Sequence, residues 1–114
     1  MIDTLYGPPP DGFTRAIHVG EPLLARGKAS GRALVYLTAA YAQQARWAAG
    51  QGDQVTQLSA RARAVELCRM ILAQGGEAAD LLRYLWATAE PADDDLAVFR
   101  GDPTFQALLG PPTL

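Results

Sequence analysis

Between Ser30 and Gly76 the apolar side chains recur at intervals of three and four. Leu34, Leu37, Tyr41, Ala45 and Ala48 share one face of a 3.6-residue period, which predicts a helix over residues 31–49 with Ser30 as its N-cap. Gly50-Gln51-Gly52 ends that pattern, and Asp53 is placed to cap the next helix, residues 54–73. There Val55, Leu58, Ala62, Val65 and Leu72 define the expected buried face, widened by Leu67 and Ile71, while Arg61, Arg63 and Arg69 lie off it. Gln74-Gly75-Gly76 reads as the stop. So short a connection makes the two helices an antiparallel hairpin.

The flanks extend the same picture. Residues 1–12, with Gly7-Pro8-Pro9-Pro10-Asp11-Gly12, predict an extended lead-in, because each proline fixes φ and removes a donor. A helix over 13–26 carries Phe13, Ile17 and Leu24, with Ala16 and Val19 beside them. Gly20 and Glu21-Pro22 predict a kink or two short helices, and Gly27 predicts the end. A fourth helix, 77–89, presents Leu81, Leu82, Leu85 and Trp86 and ends at Pro91. Asp93-Asp94-Asp95 opens a helical turn through Leu96, Val98 and Phe99. Asp102-Pro103 then starts a last helix, 103–109, with Phe105, Leu108 and Leu109 inward, stopped by Gly110-Pro111-Pro112. Residues 1–114 thus read as one all-α domain.

Composition agrees. Fifteen Leu and 21 Ala stand against five Val and three Ile, a ratio that favours helix over strand. The net charge of −2 lacks the basic excess that a general nucleic-acid binder needs. Arg61, Arg63 and Arg69 are too spread, and the hairpin arms too long, for a helix-turn-helix reader. Residues 1–76 carry a net +3 and residues 77–114 a net −5, so the two parts differ in sign. The longest uncharged run, Ala33 to Ala45, has 13 residues and includes Gln43 and Gln44, short of the roughly 20 a membrane span requires. The opening residues show neither a basic nor an apolar signal region, which predicts a cytoplasmic location.

The inventory for catalysis is thin. One Cys, Cys68, and one His, His18, cannot form a disulfide or the usual zinc site. Cys68 adjoins an apolar stripe, and His18 sits beside Ile17, so a structural thiol and a surface imidazole are the expectation. Asp93-Asp94-Asp95 lacks calcium-loop spacing and reads as helix capping. No metal, cofactor or phosphate-binding motif is expected. What remains is surface. Arg32, Tyr36, Gln43 and Trp47 lie on the side of the second helix away from Leu34 and Tyr41, and Arg, Tyr and Trp are enriched at binding hot spots. If both sides of that helix are covered, Tyr36 and Trp47 belong to the core instead.

The hairpin resembles a tetratricopeptide repeat. Leu37-Thr38-Ala39-Ala40-Tyr41 is similar to the family's Leu-Gly-x-x-Tyr, with Thr38 in place of Gly, and Leu34 stands where the family often has Trp. Gly52-Asp53 resembles the family's turn, and Ala60, Ala62 and Ala64 its small crossing residues. Residues 102–109 resemble a closing helix. The arms are longer than the family's, and Gly75-Gly76 replaces the closing proline. The resemblance implies a right-handed α–α superhelix, against which a compact five-helix bundle is the alternative. It also implies a non-catalytic adaptor or accessory subunit whose groove takes a peptide or partner helix. Arg32, Tyr36 and Gln43 would point into that groove, Arg32 toward a carboxylate. The other reading is a self-associating bundle, a homodimer through Trp47 or Trp86 that regulates or inhibits a partner protein.

Overall fold

The computed structural model describes residues 11–87 and 95–110, and among these it is all-α. The helices are α1 (Asp11–Ala25), α2 (Gly31–Gly50), α3 (Gln54–Gln74), α4 (Gly76–Ala87) and α5 (Pro103–Leu109), with a 3-10 turn at Asp95–Phe99. The caps are those the sequence predicts. Ser30 Oγ accepts from the Ala33 N–H at 3.1 Å, Asp53 Oδ1 from Thr56 at 3.1 Å, and Asp102 Oδ1 from Thr104 at 2.9 Å. No helix is long and apolar enough to cross a membrane among the described residues.

Two boundaries differ from expectation. Asp11 and Gly12, assigned to the extended lead-in, open α1, where the Asp11 carboxylate suits the positive end of the helix dipole. The expected break at Glu21-Pro22 is absent, and α1 runs through Pro22 to Ala25. Pro22 is exposed, so its ring meets solvent rather than a neighbouring helix. The helix then ends in a Schellman motif on Gly27 (φ 69°). Lys28 N–H donates to Leu23 O at 2.8 Å, and Gly27 N–H to Leu24 O at 3.0 Å. The Pro-rich run 1–10, residues 88–89, Pro91, Asp93-Asp94 and Pro111-Pro112 lie outside the described residues.

α2 is the hub. It packs against α1, α3, α4 and the 3-10 turn, and ten of its 20 residues are buried. Thr38, buried among them, donates its hydroxyl to Leu34 O at 2.8 Å and so needs no outside partner. The main core joins Leu34, Val35 and Ala45 of α2 to Ala64, Leu67, Cys68 and Ile71 of α3. Leu82 and Trp86 of α4, with Leu96, Phe99 and Phe105, complete it. Phe99 stacks on Phe105 with ring centroids 4.2 Å apart. A separate small cluster holds α1 to α2: Phe13 and Ala16 on Ala39 and Ala40.

α3 is rotated from its predicted register. Val55 is 78% exposed and Leu58 55%, Ala62 is exposed and Leu72 half-buried; of the expected stripe Val65 is buried, together with Leu67 and Ile71, the two residues expected to widen it. The buried side carries Ala60, Ala64, Leu67, Cys68 and Ile71. α3 has apolar side chains nearly all round, so period alone does not choose a face. The alanine side wins because α2 also presents alanines (Ala42, Ala45), and small residues on both helices let the backbones close up.

Close approach also governs the α2–α4 contact. A Cβ at Gly31 would stand 2.6 Å from the Ala78 Cβ, whereas one at Gly50 meets nothing within 4 Å. Gly31→Ala is therefore expected to destabilise the fold by about 1–3 kcal/mol through overpacking. Gly50→Ala should be neutral or stabilising by up to about 1 kcal/mol. Thermal melts of the two variants beside the parent check both signs.

Candidate functional site

The four surface residues singled out in the sequence, Arg32, Tyr36, Gln43 and Trp47, do fall on one face of α2, at helical spacing. The structure splits that face. Its middle is roofed by α1, whose Phe13 and Ala16 pack on Ala39 and Ala40. Gln43 is only 8% exposed, which takes it off any surface a partner could reach and corrects its assignment to a binding groove. Arg32 is exposed, Tyr36 half-buried and Trp47 41% exposed, so neither aromatic is sealed in the core. Arg32 and Trp47 are 15 residues apart, about 22 Å along the helix axis. They belong to opposite ends.

At the Arg32 end, Ser30, Gly31 and Arg32 of α2 face Glu77, Ala78 and Leu81 of α4 across a cleft of about 300 Å³. The Arg32 guanidinium, which has no ion pair among the described residues, can offer a carboxylate a bidentate contact there. Glu77 on the opposite wall sets a limit on how much negative charge the cleft accepts.

At the other end, the hairpin tip, Trp47 leaves the last turn of α2 while Val55 and Leu58 leave the first turns of α3. All three are exposed large apolar side chains. Sequence reasoning placed Trp47 in the site but put Val55 and Leu58 in the core. The signal that could have found them is the excess of apolar positions on α3, more than one buried face can use. Behind Leu58 a pocket of about 100 Å³ is lined by Ala45, Gln57, Arg61, Val98, Phe99 and Asp102.

Polar side chains that are remote in sequence bolt the outer elements to the hairpin. The Glu21 carboxylate of α1 receives Arg63 Nε at 2.8 Å and Nη2 at 2.6 Å, and the Tyr41 hydroxyl donates to it as well. The Arg63 bonds hold the Glu21 carboxyl below its ordinary range against the opposing effect of burial. Burial first, and then the neighbouring Glu21, push the Tyr41 phenol up to about 12. Arg61 makes a fork onto Asp102, with Nη2 to Oδ1 at 2.9 Å, and reaches Thr104 Oγ1 at 2.9 Å. Asp102 is correspondingly lowered by Arg61. Arg100 donates to Trp86 O and Leu85 O and lies 5.7 Å from the Trp86 ring centroid. These contacts span more than 40 residues in the two carboxylate cases, so no local spacing announces them.

Cys68 is fully buried and its thiol is pushed up to about 12 by desolvation, the opposite of an activated nucleophile. His18 is exposed on α1. Among the described residues no three of His, Cys, Asp and Glu gather to hold a metal ion. Compared with family models, curated proteins and solved structures, the chain matches none.

Two outcomes follow from these environments. Cys68 should react with a thiol reagent only as fast as the fold opens, and promptly once denatured. Time courses with and without denaturant check this. The second concerns pH. Glu21 and Asp102 have lowered carboxyl pKa values, so their stabilisation is complete above the unfolded-state values and disappears as pH falls through the lower folded-state ones. Tyr41 is raised, so its share is present below about pH 10 and is lost as pH rises through about 12. Denaturant midpoints across pH should show both flanks, and Glu21→Gln should make the acid flank shallower while costing about 1.5–3 kcal/mol near neutrality.

Proposed function

We propose that the chain is a non-catalytic, tetratricopeptide-like protein-interaction module acting in the cytoplasm, an adaptor or accessory subunit that engages a peptide or partner helix. The observation that carries this reading is the hairpin tip, where Trp47, Val55 and Leu58 stay exposed although the same two helices bury their other faces. Large apolar side chains left in solvent on both sides of one hairpin turn suit a contact surface, and Trp is among the residues enriched at hot spots. Arg32 and Tyr36, one turn apart at the far end of α2, provide a second contact of different chemistry, a cation and a phenol. The inert setting of Cys68 favours binding over catalysis. Of the three small crossing residues that the resemblance names, Ala60 and Ala64 are buried with the alanines of α2, and Ala62 is exposed.

Self-association through the tip is the weaker alternative. Three side chains supply far less than the roughly 800 Å² per partner of a standard stable interface.

The test compares affinity capture by the parent with capture by Val55→Ser/Leu58→Ser and by Trp47→Ala. These exposed positions should change stability by about 0.5 kcal/mol or less. Proteins retained by the parent and lost from both variants, at unchanged melting temperature, support the tip as the binding surface. An identical set of captured proteins from all three overturns it. A parent that sediments as a dimer, with monomeric variants, supports self-association instead.

A further inference from the structure

α3 packs against α2, α4 and α5 and leaves its opposite side uncovered along the length of the helix. Val55, Leu58, Ala62, Glu66, Arg69 and Ala73 are all exposed and fall within about 80° of arc, so they form one stripe. It runs between the flank that sends Arg61 to Asp102 and the flank that sends Arg63 to Glu21. The middle of the stripe reads Ala62, Glu66, Arg69, Ala73, at spacings of four, three and four. That order is self-complementary. Turned end for end it again reads small, charged, charged, small at the same spacings, with the acid now standing where the base stood. Neither charge is used up inside the chain. Glu66 meets only Arg63, at 3.6 Å, with its side chain 57% exposed, and Arg69 has no ion pair among the described residues.

We propose that this face joins two copies of the chain, α3 lying antiparallel on α3 about a two-fold axis. Such an axis makes every contact occur twice. Glu66 of each copy meets Arg69 of the other, and Ala62 of each lies opposite Ala73 of the other. The alanines let the two helices approach closely, and the charges set the register. A slip of three residues in either direction brings Glu66 against Glu66 or Arg69 against Arg69. The symmetry of the quartet is what points to a second copy. A foreign helix would have to carry an acid and a base in the spacing that this chain already presents to itself. The stretch from Ala62 to Ala73 spans about 17 Å of helix. So short a contact buries less than the roughly 800 Å² per partner of a standard interface, which makes the dimer reversible and populated from about 0.1 mM upward. Val55 and Leu58 extend past the end of the other copy's α3, and the antiparallel arrangement sends the two hairpin tips to opposite ends of the pair. The proposal stands whether or not the tip binds a partner.

Sedimentation equilibrium of the full chain from about 10 µM to 1 mM reads the monomer–dimer constant. Glu66→Arg sets two guanidinium groups against each other at both symmetric contacts, and Arg69→Glu sets two carboxylates there. Each is expected to weaken the dimer by about tenfold or more. Both positions are exposed, so the melting temperatures should stay near the parent's. Mixed in equal amounts, the two variants should recover a heterodimer as tight as the parent dimer, because every contact again joins unlike charges. A surface that had merely been damaged would not recover in this way. A parent that stays monomeric to the highest concentration, a dimer that both reversals leave unchanged, or a mixture that does not pair overturns the proposal. Trp47→Ala and Val55→Ser/Leu58→Ser should dimerise as the parent does; monomers there move the contact to the tip and overturn it as well.

Discussion

Everything in this domain leans on α2 being covered on nearly every side. A helix with α1, α3, α4 and the 3-10 turn against it has no solvent face in its middle to place charge on. That explains why Ala33 to Ala45 carries no ionisable group except the phenols of Tyr36 and Tyr41, and why Arg32 and Arg46 bracket the run. Burying an unpaired charge there would cost several kcal/mol. The same crowding selects size. Ala39, Ala40, Ala42, Ala45 and Ala48 are all buried, and each keeps a neighbouring helix close. Gly31 at the N-terminal end follows the same logic where α4 comes nearest.

A hub made of alanines provides proximity but little anchoring, since small side chains bury little area apiece. The outer elements are held by longer side chains instead. Arg63 draws Glu21 of α1 inward, Arg61 draws Asp102 and Thr104 at the start of α5, and Arg100 fastens the end of α4. Two of these arginines come from one stretch of α3, two residues apart, and so leave opposite flanks of that helix. α3 therefore works as a spine with an arm on each side. The charge contrast along the chain, basic before residue 77 and acidic after it, is partly used up in this way. Asp102 belongs to the acidic part and Arg61 to the basic part.

The helices were legible because their signals are local. Ser30, Asp53 and Asp102 cap where their side chains can reach the next turn, and Gly27 and Gly75 end helices where only a residue tolerant of positive φ fits. The rotation of α3 was not legible, because Val55, Leu58 and Ala62 form as good a stripe as Ala60, Ala64, Leu67 and Ile71. Only the partner surface on α2 decides between them. Pro22 misled for a related reason. A proline forbids one hydrogen bond, but whether the helix breaks depends on what holds the turn beyond it, here the Gly27 motif. The candidate site was half legible. Period placed Arg32, Tyr36, Gln43 and Trp47 on one face, but it could not show that α1 roofs the middle of that face.

That roof decides how such a domain can meet another protein. A helix surrounded on its flanks has only two ways to lend itself to a partner: at its ends, or by giving up a neighbour. The ends carry Arg32 with its cleft and Trp47 with the hairpin tip, chemically unlike and about 22 Å apart. Among the neighbours, α3 is woven into the main core by Leu67, Cys68 and Ile71 and α4 by Leu82 and Trp86. α1 enters that core with the partly buried Ile17 and Leu24, beside its own small cluster and the Glu21 carboxylate.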